Sequence, residues 1–426
     1  VSRPARPFLL PFVLVSLALA ACAGPQPHAP TPRAQALAPQ PAAPVLQRPA
    51  LGPDGQVRAG LLLPLSGPQA AVGRAMLDAA TLALFQHEAP LVLLPKDTGG
   101  TPAGAAAAAR AALAEGASIL LGPLFAAETE AVGPLARAAG VNVLAFTTDA
   151  SAARDNVFVL GQLPGPAVRR VVAAARSAGA ERFAALVPDT PYGRAVLATF
   201  RAAVASSGGS VVREEIYAGN PAPAVQRLAD YARRRGPVDA QIRAARALGT
   251  AEGRRRAAAL AREARIPPPD FDALILADGG EQLRAVASLL PFYDIDNPPV
   301  RFLGTPLLAA MPDAGREPAL VGTLYAAPDE ARRAAFEARF AEAFGAAPPL
   351  VAGVAFDAAA IAAVLAAQGD VSRAALTDPA GFAGVFGIVR LLPDGTNQRG
   401  LALMEVTRGG ARTVEPAPER FDDRVF

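Results

Sequence analysis

Val57-Arg58-Ala59-Gly60-Leu61-Leu62-Leu63-Pro64-Leu65-Ser66-Gly67 decides the fold of this 426-residue chain. An apolar run this short, ending in the turn Ser66-Gly67-Pro68, reads as a strand buried on both faces, because a half-solvated strand would alternate polar and apolar residues. Behind it, Ala71, Ala75, Leu77, Ala80, Leu82 and Leu84 offer one face of a helix. The alternation then repeats: strand Leu91–Leu94, helix Ala103–Glu115, strand Ser118–Leu121, helix Glu128–Ala139, strand Val141–Phe146. Such an order predicts a parallel sheet covered by helices on both sides. Glycine and proline gather where strands meet helices, at Gly99-Gly100, Gly122-Pro123 and Gly140.

After a crossing near Val157–Pro164 a second series begins. Helix Pro166–Gly179, strand Phe183–Val187, helix Tyr192–Ser207 and strand Ser210–Tyr217 are followed by strand Ala273–Ala277, helix Glu281–Leu290 and strand Val300–Gly304. This is a second parallel α/β unit. Strand Gly322–Ala326 and helices Asp329–Phe344 and Val351–Ala367 precede a hairpin of Val385–Leu391 and Gly400–Val406, turning at Pro393-Asp394-Gly395. Between Arg227 and Arg265 eleven arginines face four acids, on helices expected over Ala222–Arg235 and Asp239–Ala264. Arg233, Arg234, Arg235, Arg254, Arg255 and Arg256 form a candidate surface for an acidic protein or an anionic envelope polymer, since the planar guanidinium pairs with carboxylates and phosphates. A merely solvated face is the alternative.

Upstream of the fold, Arg3 and Arg6 precede an apolar run from Phe8 to Ala21, and Leu19-Ala20-Ala21-Cys22 closes it with the one cysteine of the chain. A basic stretch, a short apolar stretch and small residues form an export signal. It resembles the signal peptide of bacterial lipoproteins, which implies cleavage after residue 21 and a lipid on Cys22; Ala23 in place of aspartate resembles sorting to the outer membrane. Residues 23–56 carry nine prolines among Ala, Gln and Gly and read as an extended spacer. Without residues 1–21, 39 basic residues face 38 acidic ones, so the global charge gives no pull toward nucleic acid. With no second cysteine there is no internal disulfide, and the fold rests on its apolar cores. Arginine makes up 40 of the 41 basic residues, a bias that a GC-rich genome accounts for.

Leu62-Leu63-Pro64-Leu65-Ser66-Gly67, Tyr192-Gly193, Phe356-Asp357-Ala358, Phe382-Ala383-Gly384-Val385-Phe386-Gly387 and Pro393-Asp394-Gly395 together resemble type I periplasmic binding proteins of the leucine/isoleucine/valine-binding group. Within that group Pro64-Leu65-Ser66-Gly67, Asp97-Thr98 and Gly122-Pro123-Leu124 resemble the binding-protein-like domain of lipoprotein activators of penicillin-binding proteins. The resemblance implies two lobes facing each other across a cleft, each a parallel sheet flanked by helices, joined by three crossings. The expected division is a signal peptide over 1–21, a tether over 22–56, lobe one over 57–161 and 326–393, lobe two over 162–325 with the arginine-rich insert 222–265, a return strand over 394–413, and a tail over 414–426.

Ligand loops in open parallel sheets lie at the carboxyl ends of the strands. Lobe one would place Ser66, Gln69, Thr147 and Thr148 at the cleft, with Ser66, Thr147, Thr148 and backbone amides suited to a carboxylate, and lobe two would place Asp189, Tyr192 and Asp278 there, with either aspartate suited to an ammonium group. The same residue types also suit turns and helix caps, and Leu124-Phe125-Ala126 stands where the resemblance implies a small hydroxyl residue. Enzyme chemistry has no support: His28 stands in the spacer, His87 near a helix end, and no nucleophile elbow accompanies them. Lys96 is not in a phosphate-binding glycine loop, and Asp294-Ile295-Asp296-Asn297 runs into Pro298-Pro299 rather than continuing as a calcium loop. No metal and no cofactor is expected. Two functions follow from the resemblance: a lipid-anchored, non-catalytic regulator of peptidoglycan synthesis that contacts a penicillin-binding protein, or a solute-binding lipoprotein that feeds amino acids or related molecules to an ABC transporter.

Overall fold

Six of the seven residues of strand β1 (Val57–Leu63) are buried, as a central strand of a sheet covered on both faces requires. The computed structural model describes residues 55–86, 89–263, 266–328 and 330–421, which belong to one compact unit, Gln47–Phe426, with all its apolar cores inside it. Cys22, His28, most of the expected tether, His87 and the last five residues lie outside the described residues. In lobe one, β1 lies between β2 (Leu91–Asp97) and β3 (Ile119–Leu121), followed by β4 (Asn142–Ala145) and β5 (Val157–Val159), all parallel. Side chains alternate across it. Leu61 and Leu63 join a core with Met76 and Ala80 of α1 (Ala70–Gln86), while Leu62 faces Ala109 of α2 (Pro102–Ala114) and Val132 of α3 (Ala126–Ala138).

Lobe two opens with α4 (Pro164–Ser177), β6 (Arg182–Pro188), α5 (Pro191–Ser206), β7 (Ser210–Tyr217) and α6 (Ala222–Ala229). Next comes a helical hairpin, α7 (Tyr231–Ala247) and α8 (Ala251–Glu263), before β8 (Ala273–Leu276), α9 (Gly280–Phe292), β9 (Arg301–Gly304) and β10 (Leu324–Ala327). The two helices expected here are three: the break falls at Asp230, whose φ of 45° is left-handed, and the next turn uses Gly249 at φ 66°. Strands β6 to β10 are mutually parallel. Ala326 and Ala327, expected to open the second part of lobe one, remain in this sheet.

The chain then returns to lobe one with α10 (Glu330–Phe344), α11 (Ala352–Gln368) and a single turn, α12 (Arg373–Leu376). Fourteen residues of α11 are buried, which its alanine-rich, all-round apolar sequence permits. A small sheet of β11 (Phe382–Gly384), β12 (Gly387–Leu391) and β13 (Asn397–Arg399) follows, and then β14 (Ala402–Thr407) and β15 (Gly410–Glu415). The expected hairpin forms at its turn, but its return strand is divided: β13 pairs with β12, whereas β14 crosses to lobe two and pairs antiparallel with β10. Its end also differs, since β15 runs to Glu415 and adds an edge strand to the second sheet where a tail was expected.

Three crossings therefore join the lobes: after β5, after β10 and between β13 and β14. The first and third are stitched together. Asn397 donates to the carbonyls of Val159 (2.8 Å) and Gly161 (2.9 Å), and Arg399 donates to that of Leu160 (2.6 Å). Arg399 also lies 3.7 Å from Asp357 of α11, with both side chains almost wholly buried. Asp357 accepts from the Val385 N–H at 2.7 Å; burial pushes its carboxyl up to about 6, with the Arg399 charge opposing the rise.

Candidate functional site

Strand β5 leaves lobe one at its carboxyl end and β10 leaves lobe two at its carboxyl end, so both sheets turn their carboxyl edges toward the crossings and toward each other. On the lobe-one side, Asp97 at the end of β2 organises the loop after β1. Its Oδ1 accepts the N–H groups of Leu65 (2.9 Å), Ser66 (3.1 Å) and Gly99 (2.8 Å). The Ser66 hydroxyl, followed by these backbone donors, holds the carboxyl below its usual range. Ser66, expected to receive a ligand carboxylate, thus spends both donors on Asp97. Gln69 stands exposed at the same rim.

Phe125 supplies what the sequence did not assign. Its N–H donates to the buried Glu128 (3.2 Å) and its carbonyl accepts from the Thr129 hydroxyl (3.0 Å), so the backbone is held from both sides of the first turn of α3. Burial raises the Glu128 carboxyl. The Phe125 ring remains 36% exposed and lines a groove of about 300 Å³ with Pro68, Gln69, Gly99 and Gly100. Gly99 (φ 57°) and Gly100 (φ 68°) adopt the left-handed turn that lets this backbone form the groove wall. Of the two threonines after β4, Thr147 is buried and accepts from the Asp149 N–H (3.1 Å), while Thr148 is exposed.

On lobe two the expected acids are engaged internally. Asp189 is ion-paired with Arg194, and its N–H donates to the Tyr217 carbonyl at 2.7 Å. Asp278, 6% exposed, accepts from the Tyr217 hydroxyl at 2.5 Å. Burial raises its carboxyl and the Tyr217 bond partly restrains it, while burial together with Asp278 pushes the Tyr217 phenol far up. Gln282 closes the group by donating to the Gly219 carbonyl at 3.0 Å. Tyr192, in the first turn of α5, is half-buried, and burial raises its phenol. The structure therefore brings Ser66, Gln69, Thr148, Tyr192 and Asp278 to the two carboxyl edges, but neither aspartate stands free to meet an ammonium group.

The expected arginine surface is corrected more strongly. Arg234 is buried and donates to four carbonyls, of Pro267 (2.8 Å), Ala229 (3.2 Å), Tyr293 (3.0 Å) and Asp294 (2.8 Å). The Asp294 turn, which began like a calcium loop, serves here as an acceptor. Arg233 pairs with Asp230, and Arg235 with Asp239 (3.1 Å) and the Tyr231 hydroxyl (2.9 Å). Adjacent residues on a helix point 100° apart, so three consecutive arginines cannot share one face. Arg254, Arg255 and Arg256 on α8 are exposed.

The chain belongs to the periplasmic binding protein family, whose pattern matches residues 56–411. The family consists of binding proteins, and membership implies a periplasmic, envelope-associated location. The fold is similar to that of a putative branched-chain amino acid ABC transporter protein from Rhodospirillum rubrum, with a TM-score of 0.64 and 21% identity over 84% of this chain and 100% of that one. A solute-binding protein from R. palustris in complex with benzoate is similar with a TM-score of 0.51 and 18% identity, over 87% of this chain and 98% of that one. Likeness at these identities is one of fold. An uncharacterized protein of Rickettsia prowazekii is 23% identical over 166 residues, which cover 39% of this chain and 44% of that protein. The match thus spans less than half the length of that curated relative.

Proposed function

We propose that this member of the family is a non-catalytic solute-binding protein that closes its lobes on a small apolar or aromatic acid and presents it to an ABC transporter. The Phe125 groove carries the reading: an exposed ring stands at a strand edge beside the Gln69 amide, the Thr148 hydroxyl follows the next strand edge, and Asp189 and Asp278 are both engaged by other side chains. The R. palustris protein in complex with benzoate and a Desulfitobacterium hafniense protein in complex with Leu share the fold equally, so the ligand class rests on the groove rather than on either neighbour. Cys22, once lipidated, would hold the protein to the outer membrane facing the periplasm. Isothermal titration with benzoate and with L-leucine tests the reading. Benzoate binding that weakens about ten-fold in Phe125→Ala, with unchanged unfolding, is expected from loss of one aromatic contact. Heat from neither ligand, or leucine binding that Asp278→Ala abolishes, would overturn it.

A second reading, regulation of peptidoglycan synthesis through contact with a penicillin-binding protein, draws on the same engagement of Asp189 and Asp278, which suits a cleft with no solute. Pull-down with a purified penicillin-binding protein, in the absence of any titrating solute, would favour it.

A further inference from the structure

We propose that the α7–α8 hairpin is a second membrane contact, independent of any lipid on Cys22, that docks its tip on an anionic phospholipid bilayer. The hairpin is an excursion between α6 and β8 with a small core of its own, Ile242, Ala245 and Ala257 with Val238 and Leu260, separate from the cores of the lobes. Its base is rigid. Arg234 is held by its four carbonyls, Tyr231 packs edge-on to Tyr293 with ring centroids 5.3 Å apart, and Arg213 bridges Asp230 (3.0 Å) and Asp270 (2.7 Å).

The distal half differs in its charge balance. From residue 240 to 258 five arginines, at 243, 246, 254, 255 and 256, face only Glu252. All five are exposed, and among the described residues none has a carboxylate within 4 Å, whereas Arg213, Arg227, Arg233 and Arg235 near the base are all ion-paired. Crowded like charges without counter-charges repel one another, and an anionic surface relieves that repulsion. At the apex, between the helices, Leu248 is 62% exposed.

The shape selects a bilayer over an acidic protein. On α8, Arg255 lies opposite the buried Gly253 and Ala257 with Arg254 and Arg256 on either side, while Arg243 and Arg246 lie on the other helix. Cations spread around a convex tip, with a leucine at its end, fit a flat fluid surface whose headgroups rearrange around them and whose acyl boundary accepts the leucine. A fixed protein groove would require the charges on one face.

The test uses the compact unit from residue 47 onward, which lacks Cys22, and vesicles of phosphatidylcholine with or without 30% phosphatidylglycerol. Binding to the anionic vesicles alone, lost at high salt, is expected. The triple variant Arg243→Gln, Arg255→Gln, Arg256→Gln removes exposed cations that lie outside the ion pairs of the base and should weaken partition about 100-fold, at roughly five-fold per arginine. Leu248→Ala should weaken it a few-fold at every salt concentration. The paired Arg233→Gln should change it less than two-fold. Equal binding to neutral vesicles, an unaffected triple variant, or capture of a soluble penicillin-binding protein by the tip with no vesicle binding would overturn the proposal.

Discussion

Replacing Arg399 with methionine should cost stability increasingly as pH rises, because it strands the wholly buried Asp357 carboxylate. With Arg399 present, the Asp357 carboxyl is pushed up to about 6, against the usual 3.8 of the unfolded chain. The folded state therefore binds the proton more tightly, and wild-type stability falls by roughly 3 kcal/mol as pH rises from about 4 to about 6 and both states ionise. At 3.7 Å, and with an effective dielectric constant of about 20, the Arg399 charge contributes roughly 4 kcal/mol to keeping the carboxylate ionised. Without it the carboxyl climbs well beyond neutrality, and the folded variant holds its proton through pH 8. The gap between wild type and Arg399→Met should then widen by about 1.4 kcal/mol per pH unit above pH 6. Added to about 1 kcal/mol for the lost bond to the Leu160 carbonyl, this gives roughly 1 kcal/mol at pH 5.5 and 4 kcal/mol at pH 8. Urea unfolding at pH 5.5, 7 and 8 reads both values. The double variant with Asp357→Asn should lose the slope. A gap that stays flat with pH, or widens on acidification, would refute the reasoning.

Arg234→Ala should destabilise the protein by about 2–4 kcal/mol in urea, since four carbonyls lose a charged donor at once, while Arg255→Ala stays within about 0.5 kcal/mol; equal effects would contradict the contrast drawn between base and tip. Tyr217→Phe removes the hydroxyl that restrains the Asp278 carboxyl, whose folded value already lies above the unfolded one. Stability tied to such a group is present at low pH and lost as pH rises, so the variant should lose about 1–2 kcal/mol at pH 8 and distinctly less at pH 5. Identical losses at the two pH values would remove Asp278 from the explanation.

The central strands were legible because they are buried on both faces: the run 57–63 admits few other readings, and the loops at the carboxyl edges follow from where parallel strands end. What the loops do was not legible. Asp278 meets Tyr217 from 61 positions earlier, and Asp189 meets an arginine on the next helix, so isolated residue types suggested free acids that the fold had already satisfied. Phe125 was visible only as a departure from an expected hydroxyl. The helix boundaries over 222–263 were misplaced: Gly236-Pro237 suggested a break where α7 runs straight through, while the real breaks fall at the left-handed Asp230 and at Gly249, inside the expected second helix. Arg233-Arg234-Arg235 is different: helical rotation alone forbids all three from facing one partner, and that much was readable.

The bonds from Asn397 and Arg399 to residues 159–161 also have a mechanical meaning. Three separate ribbons would let one lobe bend, twist and slide over the other. Two ribbons riveted together act as a single pin, and the span after β10 acts as a second, so the lobes swing about the line between two pins much as a door does on its frame. A movement of one lobe against the other would then be close to one-coordinate, with its stiffness in the rivets rather than in the facing rims.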